Sequence, residues 1–513
     1  MVDVLNGRWK FKSLRTFKLQ RSDITELPDS ICKLRHLRYL DVSDTAIKAL
    51  PESITKLYHL ETLRFTNCKS LEKLPQKVRN LVSLRHLHFD DPKLVPAEVR
   101  LLTRLQTLPI FAVGPDHMVE ELGCLKELRG ALKICKLEQV RDREEAKKAE
   151  LSGKRMNKLV FEWSDDEGNN SVNSEYVLEG LQPHLDIRSL TIEGYGGENF
   201  SSWILQLNNL TVLRLKGCSK LRQLPTLGCL PRLKILEMSG MPNVKCIGNE
   251  FYSSSSGSEA VLFPALKELT LRYMDGLEEW MVPGGEVVAV FPCLEKLSIE
   301  CCGKLESIPI CRLSSLVEFE IGSCDELRYL SGEFHGFTSL RVLCIGSCPK
   351  LASIPSELIF DRCKLGALPS GLQCCASLEL RDIPEDDWLG GLTQLQELII
   401  GGFSEEMEAF PIGSVPHQLQ HLTALETLGI MDFDGKELEE ALPEWMANLS
   451  SLQSLRIYNC KNLKYMPSST AIQRLFKLKE LSIWDCPHLN ENCRKENGSE
   501  WPKISHIPFL ILG

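Results

Sequence analysis

The sequence is short of the features that would commit it to a membrane, a cofactor or a nucleic acid. No run of about 18 apolar residues occurs, so no segment is expected to span a bilayer. The first 20 residues, MVDVLNGRWKFKSLRTFKLQ, lack the apolar stretch of a secretory signal. A cytoplasmic chain is therefore expected, in which the five N-x-S/T sequons at Asn169, Asn199, Asn209, Asn448 and Asn497 are chance matches. No G-x-x-x-x-G-K-[ST] is present: Gly153-Lys154 and Gly303-Lys304 lack the upstream glycine and the following hydroxyl of a phosphate-cradling loop. No C-x-x-C pair stands at zinc spacing from a second. Positive charge is not in excess either, since the net charge is −9 with a pI near 5.8, which argues against generic nucleic-acid binding. No cofactor, metal or nucleic acid is predicted, and a non-enzymatic protein is expected.

What the chain has in quantity is leucine at fixed offsets. LQSLRIYNCKNLKYMP from Leu452 has counterparts in LETLRFTNCKSLEKLP from Leu60, LTVLRLKGCSKLRQLP from Leu210, LEKLSIECCGKLESIP from Leu294 and LRVLCIGSCPKLASIP from Leu340. The shared frame, L-x-x-L-x-L-x-x-C-x-x-L-x-x-L-P, is that of the leucine-rich repeat, whose period of about 20 to 29 residues builds one turn of a solenoid. Cores begin near Leu14, Leu37, Leu60, Leu84 and Leu105 and resume through Leu210, Leu233, Leu266, Leu294, Leu316, Leu340, Leu395, Leu425, Leu452 and Leu478. Degenerate copies are expected near residues 129, 156, 187 and 375, for about 19 turns in all. The predicted fold is an α/β horseshoe with a concave parallel β-sheet and a convex side of short helices or irregular turns.

Within each strand alternate side chains face opposite ways, so Leu40 and Val42 point inward while Tyr39, Asp41 and Ser43 point outward. The closing Leu-Pro (Leu27-Pro28, Leu50-Pro51, Leu74-Pro75, Leu224-Pro225) removes a backbone donor and sends the chain to the convex side. Twenty cysteines are present, many at one offset (Cys68, Cys218, Cys302, Cys324, Cys348, Cys460, Cys486), where a thiol acts as a small buried hydrophobe with a weak donor.

One continuous solenoid is expected, with basic leucine-rich repeats over residues 1–111, degenerate repeats with an insertion over 112–186, further repeats over 187–490 and a cap over 491–513. Residues 1–110 hold 20 Lys+Arg against 12 Asp+Glu, a net of +8, which leaves −17 for the remainder. The insertion carries RDREEAKKAELSGKRMNKL, read as a solvated helix with Arg141/Glu145 and Glu144/Lys148 pairs four apart. SDDEGNNSVNSE, Tyr252-SSSSGS and VPGGEVV read as loops, the serines being phosphorylation candidates. EWPKISHIPFLILG leaves the leucine frame and is expected to cover the last turn.

For chemistry, RHLHFDD sets His86, His88 and Asp90 on one outward face, a pattern that could hold a metal or pass protons. No third element orients them, and polar surface is the preferred reading. Cys301-Cys302 and Cys374-Cys375 have no adjacent base and are not read as nucleophiles. Binding suits the geometry better, because aromatic and arginine side chains on a broad rigid sheet carry most interface energy. The outward candidates are Tyr39, Arg64 and His88 early and Arg456, Tyr458 and Trp484 late. Trp203, Trp280 and Trp445 fall outside strands, in convex turns such as LPEWM, and are read as packing.

LRHLRYLDVSDTAIKALPESITKLYHLETL, LRGALKICKLEQVRDREEAKKAELSGKRMNKLVFEW, LPTLGCLPRLKILEMSGMPNVKCIGNEFY and EWPKISHIP together resemble the leucine-rich-repeat region of plant coiled-coil, nucleotide-binding, leucine-rich-repeat disease resistance proteins. The resemblance covers nearly the whole chain. It implies that the C-terminal repeats sense a pathogen effector or a modified host protein while the early repeats restrain a nucleotide-binding module. Met1 leads almost directly into repeats, so nucleotide hydrolysis and switching are not ascribed to this chain alone. A substrate-selecting adaptor of a ubiquitin ligase is the alternative, although it would need an F-box-like helical segment that the sequence lacks. A constitutive scaffold is the third reading.

Overall fold

The computed structural model describes residues 13–164, 171–252, 261–283, 289–310, 313–331, 339–346, 348, 350–351, 377–381, 395–403, 422, 424–433, 441–442, 444–495 and 497–513. The chain forms two compact units, Met1–Met241 and Pro242–Gly513. The repeat expected near residue 375 is present as the strand Ser377–Arg381, whereas Cys374-Cys375 and the Tyr252-SSSSGS serines lie outside the described residues.

In the first unit the strands Thr16–Lys18, Tyr39–Asp41, Thr62–Arg64 and His86–His88 form a four-stranded parallel sheet in chain order. Register places Phe17, Leu40, Leu63 and Leu87 side by side, and the last three are at most 1% exposed. Each buried leucine of this kind is worth roughly 1.5–3 kcal/mol relative to exposure, which is why the leucine period dictates the strand order. His86 extends the ladder through a bridge to Thr107. Pro109 then interrupts it, having no N–H to give. A new run follows through Ile110–Ala112, Gly130–Cys135, Met156–Glu162, Ser189–Glu193, Val212–Lys216 and Ile235–Ser239, each parallel to the next. The degenerate repeats near 129, 156 and 187 are therefore full strands.

The second unit continues the same plan through Glu268–Arg272, Lys296–Glu300, Glu318–Gly322, Val342–Gly346, Ser377–Arg381, Glu397–Phe403, Thr427–Phe433, Ser454–Tyr458 and Glu480–Trp484, all parallel. Phe509–Leu512 adds a further strand beside Glu480–Trp484, so the expected cap extends the ladder as well as covering it. Glu500, 3% exposed, ties this segment down by accepting from the Met466 N–H at 2.9 Å and from Lys503 Nζ at 2.6 Å. Two small sheets, Cys246–Ile247 with Glu279–Trp280 and Ser307–Pro309 with Tyr329–Ser331, turn the closing segments of four repeats into secondary ladders. Trp280, expected outside any strand, instead lies in one of these because its closing segment pairs with that of the preceding repeat; it packs inward, its indole N–H donating to Tyr252 Oη at 2.7 Å. Where long connections interrupt the leucines, Phe251, Tyr252, Phe263 and Phe291 fill the interior with ring centroids 5.0 to 6.0 Å apart.

In the first unit most connections returning to the strands contain a 3-10 turn, such as Asp29–Lys33 after Pro28 and Glu52–Lys56 after Pro51. Several strands are followed within three residues by one in the left-handed region: Asn67, Gly217, Cys301, Ser323, Asn459 and Asp485 have φ from 49° to 64°. That bend throws the next side chain back into the core, and this explains the cysteine. Cys68 Sγ donates to the Val42 carbonyl at 3.2 Å, Cys460 to Tyr458 at 3.3 Å, Cys324 to Gly322 at 3.4 Å and Cys486 to Trp484 at 3.1 Å. Each thiol thus adds a weak donor to a carbonyl at the turn, beside the Thr45 hydroxyl at Val42 and the Cys301 and Asn459 N–H groups at Gly322 and Trp484. The left-handed residues themselves link neighbouring turns: Asn67 Nδ2 donates to Asp44 and Asn459 Nδ2 to Asp432, both at 2.8 Å.

Three expectations are corrected. RDREEAKKAELSGKRMNKL is broken into the short helix Arg143–Lys147, the turn Leu151–Gly153 and the strand Met156–Glu162. Arg141 does pair with Glu145 at 3.0 Å, but Glu145 is buried and also accepts from the Arg141 N–H, while Glu144 pairs with Lys147 and Lys148 with Glu120. The end of the acidic loop is helical over Ser171–Gly180, anchored where Glu175 accepts from the backbone N–H groups of Glu198 and Asn199. Asp41 and Ser43, although on the outward side, are 0% and 2% exposed.

Candidate functional site

Two clusters occupy the outward side of the strands. In the first unit, Asp41 is the organising group. Its carboxylate accepts from Gln20 Nε2 at 2.7 Å, from the Tyr39 hydroxyl at 3.0 Å and from the Ser43 N–H at 3.0 Å, and Arg64 Nε stands 3.6 Å away. This sharing is what allows a carboxylate to be wholly buried. Lys18 Nζ lies 5.3 Å from the centroid of the Tyr39 ring. Burial, and then the hydrogen bond to Asp41, raise the Tyr39 pKa, so the phenol stays protonated. Arg64 and His88 are register partners, and both are half-buried.

His86 and His88 stack with ring centroids 6.5 Å apart. Burial depresses both imidazole pKa values, assisted by Arg129 at His86 and by Arg64 at His88. His86 Nδ1 is hydrogen-bonded to Thr107 Oγ1 at 3.0 Å. Asp90, the third member of the sequence pattern, is turned away to accept from the left-handed Asn67 N–H at 2.9 Å. Among the described residues no group of three or more His, Cys, Asp or Glu could hold a metal ion.

The late cluster lies in the second unit. Arg456 and Tyr458 share an outward face two residues apart, and Tyr458 is the register partner of Trp484, which is 43% exposed. Arg456 pairs with Glu397 at 3.7 Å, reaching across the intervening strand at Gly429. A side chain at 429 would meet Ile399 at 3.0 Å, so glycine leaves the space under that ion pair. The structure therefore assembles each predicted trio locally, Tyr39 with Arg64 and His88, and Arg456 with Tyr458 and Trp484. Sequence reasoning missed Asp41 as an organiser and Gly429 as a spacer. The signal for Gly429 was available: LETLGI places a glycine where other strands carry a side chain. Among the convex tryptophans, Trp203 is 3% exposed and donates to the Leu178 carbonyl at 3.0 Å, a packing role. Among the described residues no helix is long and apolar enough to cross a membrane.

The repeat frame has counterparts in other proteins. A family model described as a leucine-rich repeat region matches residues 2–326, and one described as R13L1/DRL21 LRRs matches residues 405–486. The chain is 37% identical over 358 residues to putative disease resistance protein RGA4 of Solanum bulbocastanum, covering 68% of this chain and 35% of that protein. It is 32% identical over 322 residues to putative disease resistance RPP13-like protein 1 of Arabidopsis thaliana, covering 59% of this chain and 30% of that one. Among solved structures, the leucine-rich-repeat protein LIC12759 of Leptospira interrogans aligns over 94% of this chain and 98% of its own, with a TM-score of 0.43 and 17% identity. The chain spans about a third of the length of the curated relatives it matches. With leucine-framed parallel strands throughout and these relatives, the chain belongs to the leucine-rich-repeat family, among the repeat regions of plant disease resistance proteins.

Proposed function

We propose that the chain is a non-enzymatic recognition module of plant innate immunity, acting in the cytoplasm through the outward faces of its sheets. The observation that carries this reading is the contiguity of Arg456, Tyr458 and Trp484 on one face. Aromatic and arginine side chains clustered on a rigid support are what protein interfaces use for most of their energy. The ligand is a pathogen effector or a host protein altered by one. The early cluster has a different partner: the basic face around Arg64 orients an acidic surface of a nucleotide-binding module, a charge match that sets register more than affinity. The names of the relatives support the immune setting.

The test is co-immunoprecipitation of the full chain with candidate effectors and their host targets, repeated with Arg456→Glu, Tyr458→Ala and Trp484→Ala combined. Capture of a defined effector or target that the triple variant abolishes is expected. Capture unchanged by the triple variant, with the variant shown to be folded, would remove the late cluster from recognition.

A further inference from the structure

Resting on that reading, we infer that the last two strands of the second unit form a seat for a basic, apolar-flanked protein segment, an arginine or lysine side chain lying on Trp484 between Glu480 and Asp485. Most carboxylates on the outward faces meet a cation on the same or a nearby strand: Glu193 with Lys133, Glu237 with Arg214 and Lys216, Glu300 with Arg272, Glu318 and Glu320 with Lys296, Glu397 with Arg456. The pattern lapses at the C-terminal end of the ladder. Glu480 accepts only from Ser482 Oγ, at 3.2 Å, and neither it nor the exposed Asp485 has an ion-pair partner among the described residues.

The same place exposes several large apolar side chains. Trp484, Phe509 and Ile511 are 43%, 66% and 42% exposed. Phe509 is the register partner of Glu480 and Ile511 of Ser482, while Tyr458 pairs with Trp484, whose ring lies against Gly513, two residues beyond Ile511. Ser482, 3% exposed, leaves a shallow floor between them. Asp485, next to Trp484 in the chain, is exposed, and its backbone is left-handed with φ 53°. Aromatic faces attract cations, and uncompensated carboxylates on either side set the sign of the ligand charge. The surrounding unit has the same sign: Pro242–Gly513 contains 22 Lys+Arg and 38 Asp+Glu, a net of −16.

The probes are three short fluorescein-labelled peptides in which leucine alternates with arginine, lysine or glutamate, titrated with the full chain by fluorescence anisotropy at low and at physiological ionic strength. The arginine and lysine peptides bind and the glutamate peptide does not. Trp484→Ala weakens binding by about five- to tenfold, as expected for an exposed aromatic anchor, and Trp484→Phe by less. Glu480→Gln with Asp485→Asn weakens it comparably and flattens its salt dependence. Glu268→Gln with Asp275→Asn, exposed carboxylates far along the chain from the aromatics, leaves it unchanged. Failure of the arginine peptide to bind, equal binding of the glutamate peptide, or equal effects of the near and distant carboxylate pairs on folded variants would overturn the inference. An effector captured through Trp484 that has no basic segment would sink this inference and leave recognition standing. Peptide binding at the seat, with no effector or host protein captured there, would do the reverse.

Discussion

Met1–Met241 holds 38 Lys+Arg against 31 Asp+Glu, a net of +7, whereas Pro242–Gly513 holds 22 against 38, a net of −16, on the same inward leucine frame. The outward clusters differ as much as the totals. In the first unit the aromatic and the arginine are drawn onto a buried carboxylate, so Tyr39 and Arg64 are half spoken for by Asp41. In the second, Tyr458 and Trp484 rise beside a partly exposed ion pair, with unmatched carboxylates close by. The difference teaches that a repeat frame fixes where outward side chains stand but not whether they face a neighbour or a ligand.

The largest effect should come from the shared frame. Leu213→Ala and Leu455→Ala each remove a leucine that is 0% exposed, and each should cost about 2–5 kcal/mol in urea unfolding. Hydrogen exchange should speed up mainly in the unit that carries the substitution. A single transition shifted equally by both would break the distinction.

A smaller contrast tests the clusters themselves. Asp41→Ala strands three donors and a guanidinium and should cost about 2–4 kcal/mol, while Arg456→Ala, in a pair roughly a third exposed on both sides, should cost less than about 1 kcal/mol. Equal losses in chemical denaturation would mean that the late cluster is structural as well.

Acid should then separate the units. The folded pKa values of His86 and His88 lie below the usual 6.5, so the unfolded chain takes up protons first as pH falls. Stability from these groups is complete above about pH 6.5 and is lost as pH falls through their folded pKa values. Thermal unfolding followed at pH 7 and pH 5 should show the first unit losing more than the double variant His86→Gln, His88→Gln does.

The gentlest probe is alkylation at pH 8. Burial pushes the Cys135 and Cys218 thiols up to about 12. Those two should resist iodoacetamide in the native chain while the exposed Cys124, Cys229 and Cys293 react, as peptide mass spectrometry would record. By the same linkage, the stability these buried thiols contribute is full below about pH 9 and fades as pH rises toward 12.

Much of this was legible in leucine spacing. The frame placed the strands, including the degenerate copies near 129, 156, 187 and 375, because burying one side chain in every second position is a local demand that a sequence must meet visibly. Outward candidates followed from alternation alone, and register set Arg64 beside His88 and Tyr458 beside Trp484 because equal repeat positions align. What could not be read was how outward polar groups choose partners from the next turn. Asp41 became buried through Gln20 and Arg64, each from a neighbouring repeat, and Asp90 left the histidines for Asn67. Nor did helical charge spacing survive in residues 141–159, where the repeat's need for a strand at Met156–Glu162 overrode it.

The cross-turn links recur at one sequence offset: Asn67 to Asp44, Arg38 to Glu61, Asn209 to Asp186 and Arg232 to Asn209 all join residues 23 apart. The coils joined by these pairs consequently meet through the same small set of couplings, whereas those around the insertion join at offsets from 26 to 36. Unequal recombination that deletes or duplicates one whole coil would bring matching ends together again, whereas a cut of any other length would scramble them. Such a gene can change how many coils it encodes in single steps and still yield a chain that folds.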